Sequence, residues 1–381
     1  MAKTNFAALT DEQKTAWGMD FWAHARNRSF VNKFLGKSEN SMIHHITELT
    51  KDKKGARAVL TLVADLTGDG VVGDSKLEDN EESMNSFDTV ITIDQLRNAN
   101  RIEGRMADQK SIVNFRRQSR NKLSYWLGDR IDQMAFLSMS SLPYTLNTNG
   151  SLRPVAPAGQ NLADLEFAEA NPAPTANRSF YLGTDGHLVS GTGYDAADGV
   201  ITPLTYKSLV RMKANAKDAY IKPLRSNGGE DLYMVFVTPQ GMADLRLDPD
   251  FIANVRHAGV RGGKNDLFSG ASSVMVDGMI VHEYRHVFSN EKAAAGDRFG
   301  ATTGTDIGQR VLFCGAQALG MADIGAAEWV EDVFDYENEV GISVAKIFGF
   351  LNPKFKGNLA HFNSDENFGV MTVDTALSIY S

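Results

Sequence analysis

Apolar residues recur at helical spacing along one long stretch of the chain, from Arg101 to Leu142. The stretch contains no proline and only two glycines, Gly104 and Gly128. A continuous helix over these residues would be about 60 Å long at 1.5 Å per residue, more than a compact domain normally buries. The pattern therefore predicts a helical strut. Its apolar positions are Ile102, Met106, Val113, Leu123, Trp126, Leu127, Ile131, Met134 and Leu137.

Alternating apolar and polar residues predict two strands before this helix, over 57–64 and 88–94. Between Asp65 and Asp94, nine acids oppose one base, Lys76, so this piece carries the same net charge of −8 as the whole chain. Two-stranded hairpins are marginal alone in water. We expect either a solvated loop or an extended hairpin that rests on a basic surface, in the same subunit or in a neighbour.

The second half of the chain mixes helices and strands without a regular βαβ alternation, which predicts the α+β class. Residues 141–204 hold six of the ten prolines and predict either a long irregular insertion or a small loop-rich subdomain. The elements predicted after it are helices over 205–220, 241–247 and from Pro249 toward His257, strands over 231–237, 274–281 (a hairpin), 329–336, 341–350 and 370–373, and a helix after a short strand within 310–321.

The N-terminal segment is polar but contains many large rings, among them Trp17, Phe21, Trp22, Phe30 and Phe34. We expect the rings of such an arm to pack on an apolar surface, and this surface could equally well belong to the arm's own domain or to another subunit. The segment lacks the charged-then-apolar run of a signal peptide.

Composition is that of an ordinary folded protein, with 43% hydrophobic and 23% charged residues among 381. That length predicts about two domains. The single cysteine, Cys314, excludes an intrachain disulfide. No segment approaches the roughly 20 apolar residues of a membrane span, and the net charge of −8 argues against a general nucleic-acid binder. We expect a soluble cytoplasmic protein.

The sharpest chemical motif is His282-Glu283-Tyr284-Arg285-His286, an H-E-x-x-H sequence. In zinc peptidases this spacing works on a helix, where both histidines lie on one face. Here the flanking β-branched and aromatic residues predict a strand, which would place the histidines about 13 Å apart. A zinc metallopeptidase is therefore the weaker alternative.

A second motif, Asp65-Leu-Thr-Gly-Asp69-Gly70, is similar to the start of an EF-hand calcium loop. Its twelfth position is Lys76 instead of glutamate, so a hairpin turn is the better interpretation and a calcium-stabilised module a third alternative. The sequence identifies no cofactor-binding, catalytic or metal-ligating residue that we would assign.

Several short motifs together resemble those of a known family. They are Ser41–Ile43, Gly73-Asp74, Leu77–Glu82, Val90–Gln95, Gly104–Gln109, Leu123–Trp126, Val237–Pro239, Asp244-Leu245 and Gly315–Ala318. With these motifs the chain resembles a tailed-bacteriophage major capsid protein of the Hong Kong 97 type, more specifically the family typified by the podovirus N-four. One departure is Asp79, which stands where the resemblance would place glycine.

The resemblance implies a Hong Kong 97-like (HK-97) capsid fold and a division of the chain. It implies a virion shell protein that assembles in the host cytoplasm. The implied parts are an N-terminal arm (1–55), an extended β-hairpin loop (56–97), the spine helix of a peripheral domain (98–142), a loop-rich insertion (143–204), an axial domain with connecting elements (205–325) and C-terminal strands that return to the peripheral domain (326–381).

The implied function is a non-enzymatic, icosahedral shell of hexamers and pentamers around the genome, without a membrane. Scaffold, portal and decoration proteins are the implied partners, with packaged DNA on the inner face bound without sequence specificity. From charge, we predict that the acidic loop meets arginines on a neighbour's spine helix. The predicted intersubunit residues are Asp74, Glu78, Asp79, Glu81, Glu82, Arg116, Arg117 and Arg120.

Overall fold

A computed structural model describes most of the chain. The described residues are 25, 29–47, 55, 57–63, 66, 68–82, 86–110, 114–168, 171, 173–225, 231–258, 273–355 and 366–378.

Helices and strands alternate irregularly along these residues. The helices are α1 (Arg105–Lys110), α2 (Phe115–Met139), α3 (Tyr206–Asp218), α4 (Pro239–Leu247) and α5 (Pro249–Ala258). The strands are β1 (Leu35–Gly36), β2 (Ile43–Ile46), β3 (Arg57–Val63), β4 (Ser86–Thr92), β5 (Asp94–Arg101), β6 (Ser179–Leu182), β7 (Leu188–Ser190), β8 (Leu224–Arg225), β9 (Asp231–Val237), β10 (Ser273–Val276), β11 (Met279–Glu283), β12 (Gly308–Cys314), β13 (Leu319–Asp323), β14 (Glu328–Phe334), β15 (Glu339–Leu351), β16 (Lys354–Phe355), β17 (Glu366–Asn367) and β18 (Val370–Ala376).

A six-stranded sheet has the order β1-β2-β13-β15-β14, with β5 also paired to β15. The long helix α2 packs on this sheet. Its buried residues Leu127, Ile131 and Met134 share a core with Val344 and Phe348 of β15. The predicted pairing of 329–336 with 341–350 is confirmed by the antiparallel β14–β15 ladder.

An eight-stranded sheet has the order β10-β11-β9-β12-β18-β6-β7, with β8 paired to β9. Helix α3 is capped by Thr205, whose hydroxyl accepts from Ser208 N, and buries Leu209, Met212 and Ala216. This face belongs to a second core. The helices and strands predicted over 205–258 and the 274–281 hairpin are confirmed.

The hairpin of β3 and β4 pairs Arg57 with Thr92 and Val63 with Ser86. At its base, Leu60 and Ile91 are buried in a third, small core. A Cβ on Gly349 would lie 2.1 Å from Thr92 O, so this glycine allows β4 to pass close to β15.

The prediction of one helix from Arg101 to Leu142 is wrong at its N-terminal end. Arg101 ends strand β5, and α2 begins only after Asn114, an extended residue whose side chain accepts from Arg117 N. The helix has 25 residues and is therefore about 37 Å long. Strand β5 overlaps the predicted helix only at Arg101, and the residues Arg105–Lys110 within the predicted range form the separate short helix α1.

The prediction of a helix within 310–321 is also wrong, because β12 and β13 occupy this stretch. Every residue of β12 is buried, since the strand lies between β9 and β18. A strand covered on both faces is a continuous apolar run without alternation, which periodicity cannot distinguish from a helix.

Two further expectations need correction. Residues 141–204 are largely irregular, but β6 and β7 within them belong to the eight-stranded sheet. The strand predicted at 370–373 was expected to join β14 and β15 in the six-stranded sheet that packs on α2, and it does not. It is part of β18, between β12 and β6.

Candidate intersubunit surfaces

The acidic segment is residues 68–82, beyond the far end of the β3–β4 hairpin. All but one of its residues are exposed, and Val71 is half-buried. Six acids and one lysine give it a net charge of −5. The five acids predicted to contact a neighbour, Asp74, Glu78, Asp79, Glu81 and Glu82, are all exposed here.

Two hydrophobic side chains of this segment also face solvent, Val72 at 82% and Leu77 at 60% exposure. Contacts within the segment are weak: Lys76 Nζ lies 3.1 Å from Glu78 Oε2, in an exposed ion pair. Gly68 N donates to Glu82 Oε2 at 2.7 Å. The segment is thus a charged surface with uncovered apolar residues.

Asp79 adopts a left-handed conformation with φ of +72°. Asn80 N donates to Leu77 O at 3.0 Å and closes the turn. Glycine adopts this conformation without a steric cost, and aspartate is among the few other residues that tolerate it. The turn therefore keeps a glycine-like backbone at the position where the resemblance would place glycine.

The three helix arginines predicted to meet the segment differ in their surroundings. Arg116 Nη2 donates to Glu331 Oε2 of β14 at 2.6 Å, so its charge is already paired within the chain. Arg117 is exposed, and Arg120 is half-buried. Arg116 thus has an ionic partner in its own subunit.

Further along α2, the described structure holds a polar cluster that sequence reasoning missed. Asp129 Oδ1 lies 2.8 Å from His286 Nε2 and 2.5 Å from Arg285 Nη2. Burial raises the pKa of Asp129, but the hydrogen bond and charge of His286, with the charges of Arg285 and Arg130, outweigh it and lower that pKa.

One turn away, Asp132 is 1% exposed and holds the N-terminal arm. Its carboxylate accepts from Ser29 Oγ at 2.6 Å, Phe30 N at 2.8 Å, Val31 N at 3.2 Å and the hydroxyl of Tyr284. Burial raises the pKa of this carboxyl despite these donors. An acid at a buried position of an otherwise apolar helix face was the available sequence signal.

The aromatic arm packs on its own domain as far as it is described. Phe30 stacks on Tyr284 with ring centroids 4.2 Å apart, and Phe34 meets Phe236 edge-on at 5.3 Å. The sequence left open whether the arm packs on its own domain or on another subunit, and these two rings pack on their own domain. Trp17, Phe21 and Trp22 lie outside the described residues.

The H-E-x-x-H motif begins on a strand, as predicted. His282 and Glu283 end β11, and the backbone turns at Tyr284–His286. The pKa of His282 is lowered, chiefly by burial and also by the charge of Lys33. His286 is engaged by Asp129 and by Thr148 Oγ1, 3.3 Å from its Nδ1. Within the described ranges, no group of three or more potential ligands is placed to hold a metal ion.

The calcium-loop motif also lacks the expected surroundings. Its first acid, Asp65, lies outside the described residues, and Asp69 is exposed in the acidic segment. Strands β3 and β4 precede and follow the motif, whereas an EF-hand loop joins two helices.

A comparison with protein families identifies the chain. A model of the family described as phage capsid protein matches residues 5–379. The chain belongs to the phage capsid protein family. The capsid protein is 53% identical over 374 residues to the major capsid protein of Pseudomonas phage KPP25, and the match covers 98% of this chain and 97% of that relative.

Solved phage capsids share the fold of this capsid protein. The capsid of Ralstonia phage GP4 superposes with a TM-score of 0.72 at 23% identity, covering 92% of each chain. The capsid of cyanophage Pam1 gives a TM-score of 0.70 at 17% identity, covering 99% of this chain and 96% of the other. The Hong Kong 97-like fold and the α+β class predicted from the sequence are confirmed.

The protein is a major capsid protein of a phage, and its role is structural, as a component of the virion shell. The shell is an assembly of copies of this chain. Across the described ranges, none of the helices combines the length and apolar content needed to cross a membrane.

Proposed function

We propose that copies of the capsid protein are joined by the acidic segment, which rests on the basic long helix of a neighbouring copy. The observation that carries the proposal is the exposure of residues 68–82, which hold a net charge of −5 and two uncovered apolar side chains. Among the described residues of the hairpin, the buried apolar side chains are Ala58, Leu60 and Ile91. A projecting hairpin of this kind gains stability when a partner surface covers it.

On the helix, Arg117 and Arg120 are the predicted partners best placed for this contact. Arg116 already pairs with Glu331, so it contributes less to a neighbour. Charge pairs of this type fix register and partner choice more than affinity. The bulk of the binding energy would come from apolar area, since obligate interfaces bury thousands of Å².

The proposal extends to the division of the subunit. The β3–β4 hairpin within 56–97 acts as the extended loop, and α2 with the six-stranded sheet as the peripheral domain. The eight-stranded sheet, built mainly from residues of 205–325, acts as the axial domain that meets its copies in rings of five and six. Strand β18, although C-terminal, is a member of that sheet.

The proposed partners beyond the shell itself are scaffold, portal and decoration proteins, with packaged DNA on the inner face bound without sequence specificity. We also propose that the subunit acts without catalysis. The support is that His286 is engaged by Asp129 and Thr148, and that His282 lies on a strand instead of on a metal-binding helix.

Electron microscopy of the expressed protein tests the proposal. The wild type should form shells, tubes or capsomers. Glu78→Lys with Glu81→Lys should prevent assembly while leaving the subunit folded, because both carboxylates are exposed and neither holds the turn. A control with two exposed acids elsewhere, Glu39→Lys with Asp218→Lys, should assemble normally. Normal shells from the Glu78 and Glu81 variant would refute the proposed contact.

A further inference from the structure

A groove of about 730 Å³ lies between β5, α2 and the chain that follows α2. Its lining combines half-buried apolar side chains with arginines. The apolar residues include Leu96 and Trp126, which pack against the main core, and Leu162 of the following chain. The arginines are Arg97 of β5, Arg130 of α2 and Arg153.

Two of these arginines converge on a neutral group. Arg130 Nη1 and Arg153 Nη2 both donate to Gln133 Oε1, at 2.6 Å and 3.0 Å. Burial, and next the charge of Arg130, lower the pKa of Arg153 to about 10, although Asp129 opposes this effect. Two guanidinium groups that share one amide oxygen repel each other, so an additional carboxylate would be stabilised here.

The carboxylates already in the groove have other hydrogen-bond donors. Asp94 Oδ2 accepts from Glu166 N at 3.0 Å, and Asp164 Oδ2 accepts from Gly159 N at 2.7 Å. Asp129, beside the groove, is held by Arg285 and His286. Among the described residues, no ion pair joins a carboxylate to Arg97, Arg130 or Arg153.

We infer that this groove receives the acidic segment of a second copy, with Leu77 on the apolar floor and Glu78 and Glu81 on Arg130 and Arg153. The inference rests on the proposed function, in which a neighbour's long helix receives the segment. It replaces Arg117 and Arg120 as the partners with Arg130 of the same helix and with Arg153. The two surfaces are complementary: the segment has an exposed leucine beside carboxylates, and the groove has apolar side chains beside arginines. Arginine binds carboxylates with two parallel hydrogen bonds, which adds geometric specificity to the charge.

The occupant is a second copy because the segment of the same chain is held away from the groove. The groove begins at Asp94, the first residue of β5, while the segment joins the opposite end of β4. Strand β4 has seven residues, which separates the two by about 20 Å as long as the hairpin stays paired. The residues that line the groove include none from 68–82.

Disulfide cross-linking tests the contact directly. Cys314 is the single cysteine and is fully buried, and burial raises the pKa of its thiol, so engineered cysteines react selectively. Leu77→Cys with Leu162→Cys should give ladders of covalently linked subunits when assembled particles are mildly oxidised. The comparison pair, Leu77→Cys with Arg117→Cys, should remain monomeric on a non-reducing gel. A ladder from the comparison pair alone would overturn the inference.

A charge exchange decides the question even where a cysteine variant fails to assemble. Assembly lost in Glu78→Lys with Glu81→Lys should be restored by adding Arg130→Glu and Arg153→Glu, the two arginines assigned to those carboxylates. Restoration by Arg117→Glu with Arg120→Glu instead would overturn the groove while leaving the proposed function intact. Absence of restoration by either pair also counts against the groove, whereas normal shells from the Glu78 and Glu81 variant itself would refute the proposed function.

Discussion

Arg116 Nη2 lies 2.6 Å from Glu331 Oε2, and this ion pair ties the first turn of the long helix to β14 of the same chain. Trp329 Nε1 donates to the other carboxylate oxygen at 3.0 Å. The side chain of Glu331 is only 9% exposed, so its charge depends on these two donors. A residue that seemed available to a neighbour is therefore part of the subunit's own framework.

Arg116→Ala should lower the free energy of unfolding of the subunit by about 1–2 kcal/mol, because a largely buried carboxylate loses a charged hydrogen-bond donor. The matched control is Arg117→Ala, one residue along the same helix and exposed. Its effect on stability should stay within about 0.5 kcal/mol. Urea denaturation of unassembled subunits measures both values, and equal losses would show that Glu331 does not need Arg116.

Asp132→Asn should destabilise the docking of the N-terminal arm by about 2–3 kcal/mol, since an amide replaces a charged acceptor and turns an NH₂ group toward N–H donors. Tyr284→Phe removes only one of the four donors and should cost about 1 kcal/mol. Limited proteolysis near Ser29 and thermal unfolding report the two effects. The idea fails if the arm of Asp132→Asn is as protected as that of the wild type.

Acid stability should depend on Asp129. Its pKa lies below the unfolded value of 3.8 because His286, Arg285 and Arg130 outweigh the effect of burial. A carboxyl with a lowered folded pKa contributes stability above its unfolded pKa and loses that contribution as the pH falls through the folded pKa. The stability difference between wild type and Asp129→Asn should therefore be largest above about pH 4 and shrink below it. Thermal unfolding at stepped pH values checks this, and a constant difference would contradict it.

Glu283→Gln should leave both assembly and stability unchanged, within about 0.5 kcal/mol, because its role as a catalytic base requires a helix that this segment does not form. Metal analysis of the purified wild type should find no stoichiometric zinc. Stoichiometric zinc that disappears with His282→Ala would restore the peptidase alternative.

Helices and strands with a clear hydrophobic periodicity and recognisable capping residues could be predicted from the sequence. Thr205 opens α3, and Thr238-Pro239 opens α4, where a capping hydroxyl and a first-turn proline mark the start. Strand β12 could not, because both of its faces are buried and its apolar run is uninterrupted. The start of α2 could not either, since apolar residues at helical spacing precede its N-cap Asn114 as well as follow it.

Some features of the charged surfaces could also be predicted from the sequence, and others could not. The exposure of the acidic segment follows from its composition alone, and the structure agrees. The pairing of Arg116 with Glu331 joins residues 215 positions apart, and nothing local to either residue indicates it. The convergence of Arg130 and Arg153 on Gln133 likewise depends on how the chain turns back after α2.

The hairpin is held at one end, where Gly349 lets Thr92 and Ile91 pass close to β15. A small rotation of the hairpin about this contact therefore produces a larger displacement at its far end. Strand β4, with seven residues, is about 23 Å long at 3.3 Å per residue, so a tilt of about 10° about this contact displaces its far end by about 4 Å. The proposed contact at the tip can thus be kept by copies that meet at different angles in a closed shell, with the adjustment made where a single hydrogen atom stands in place of a side chain.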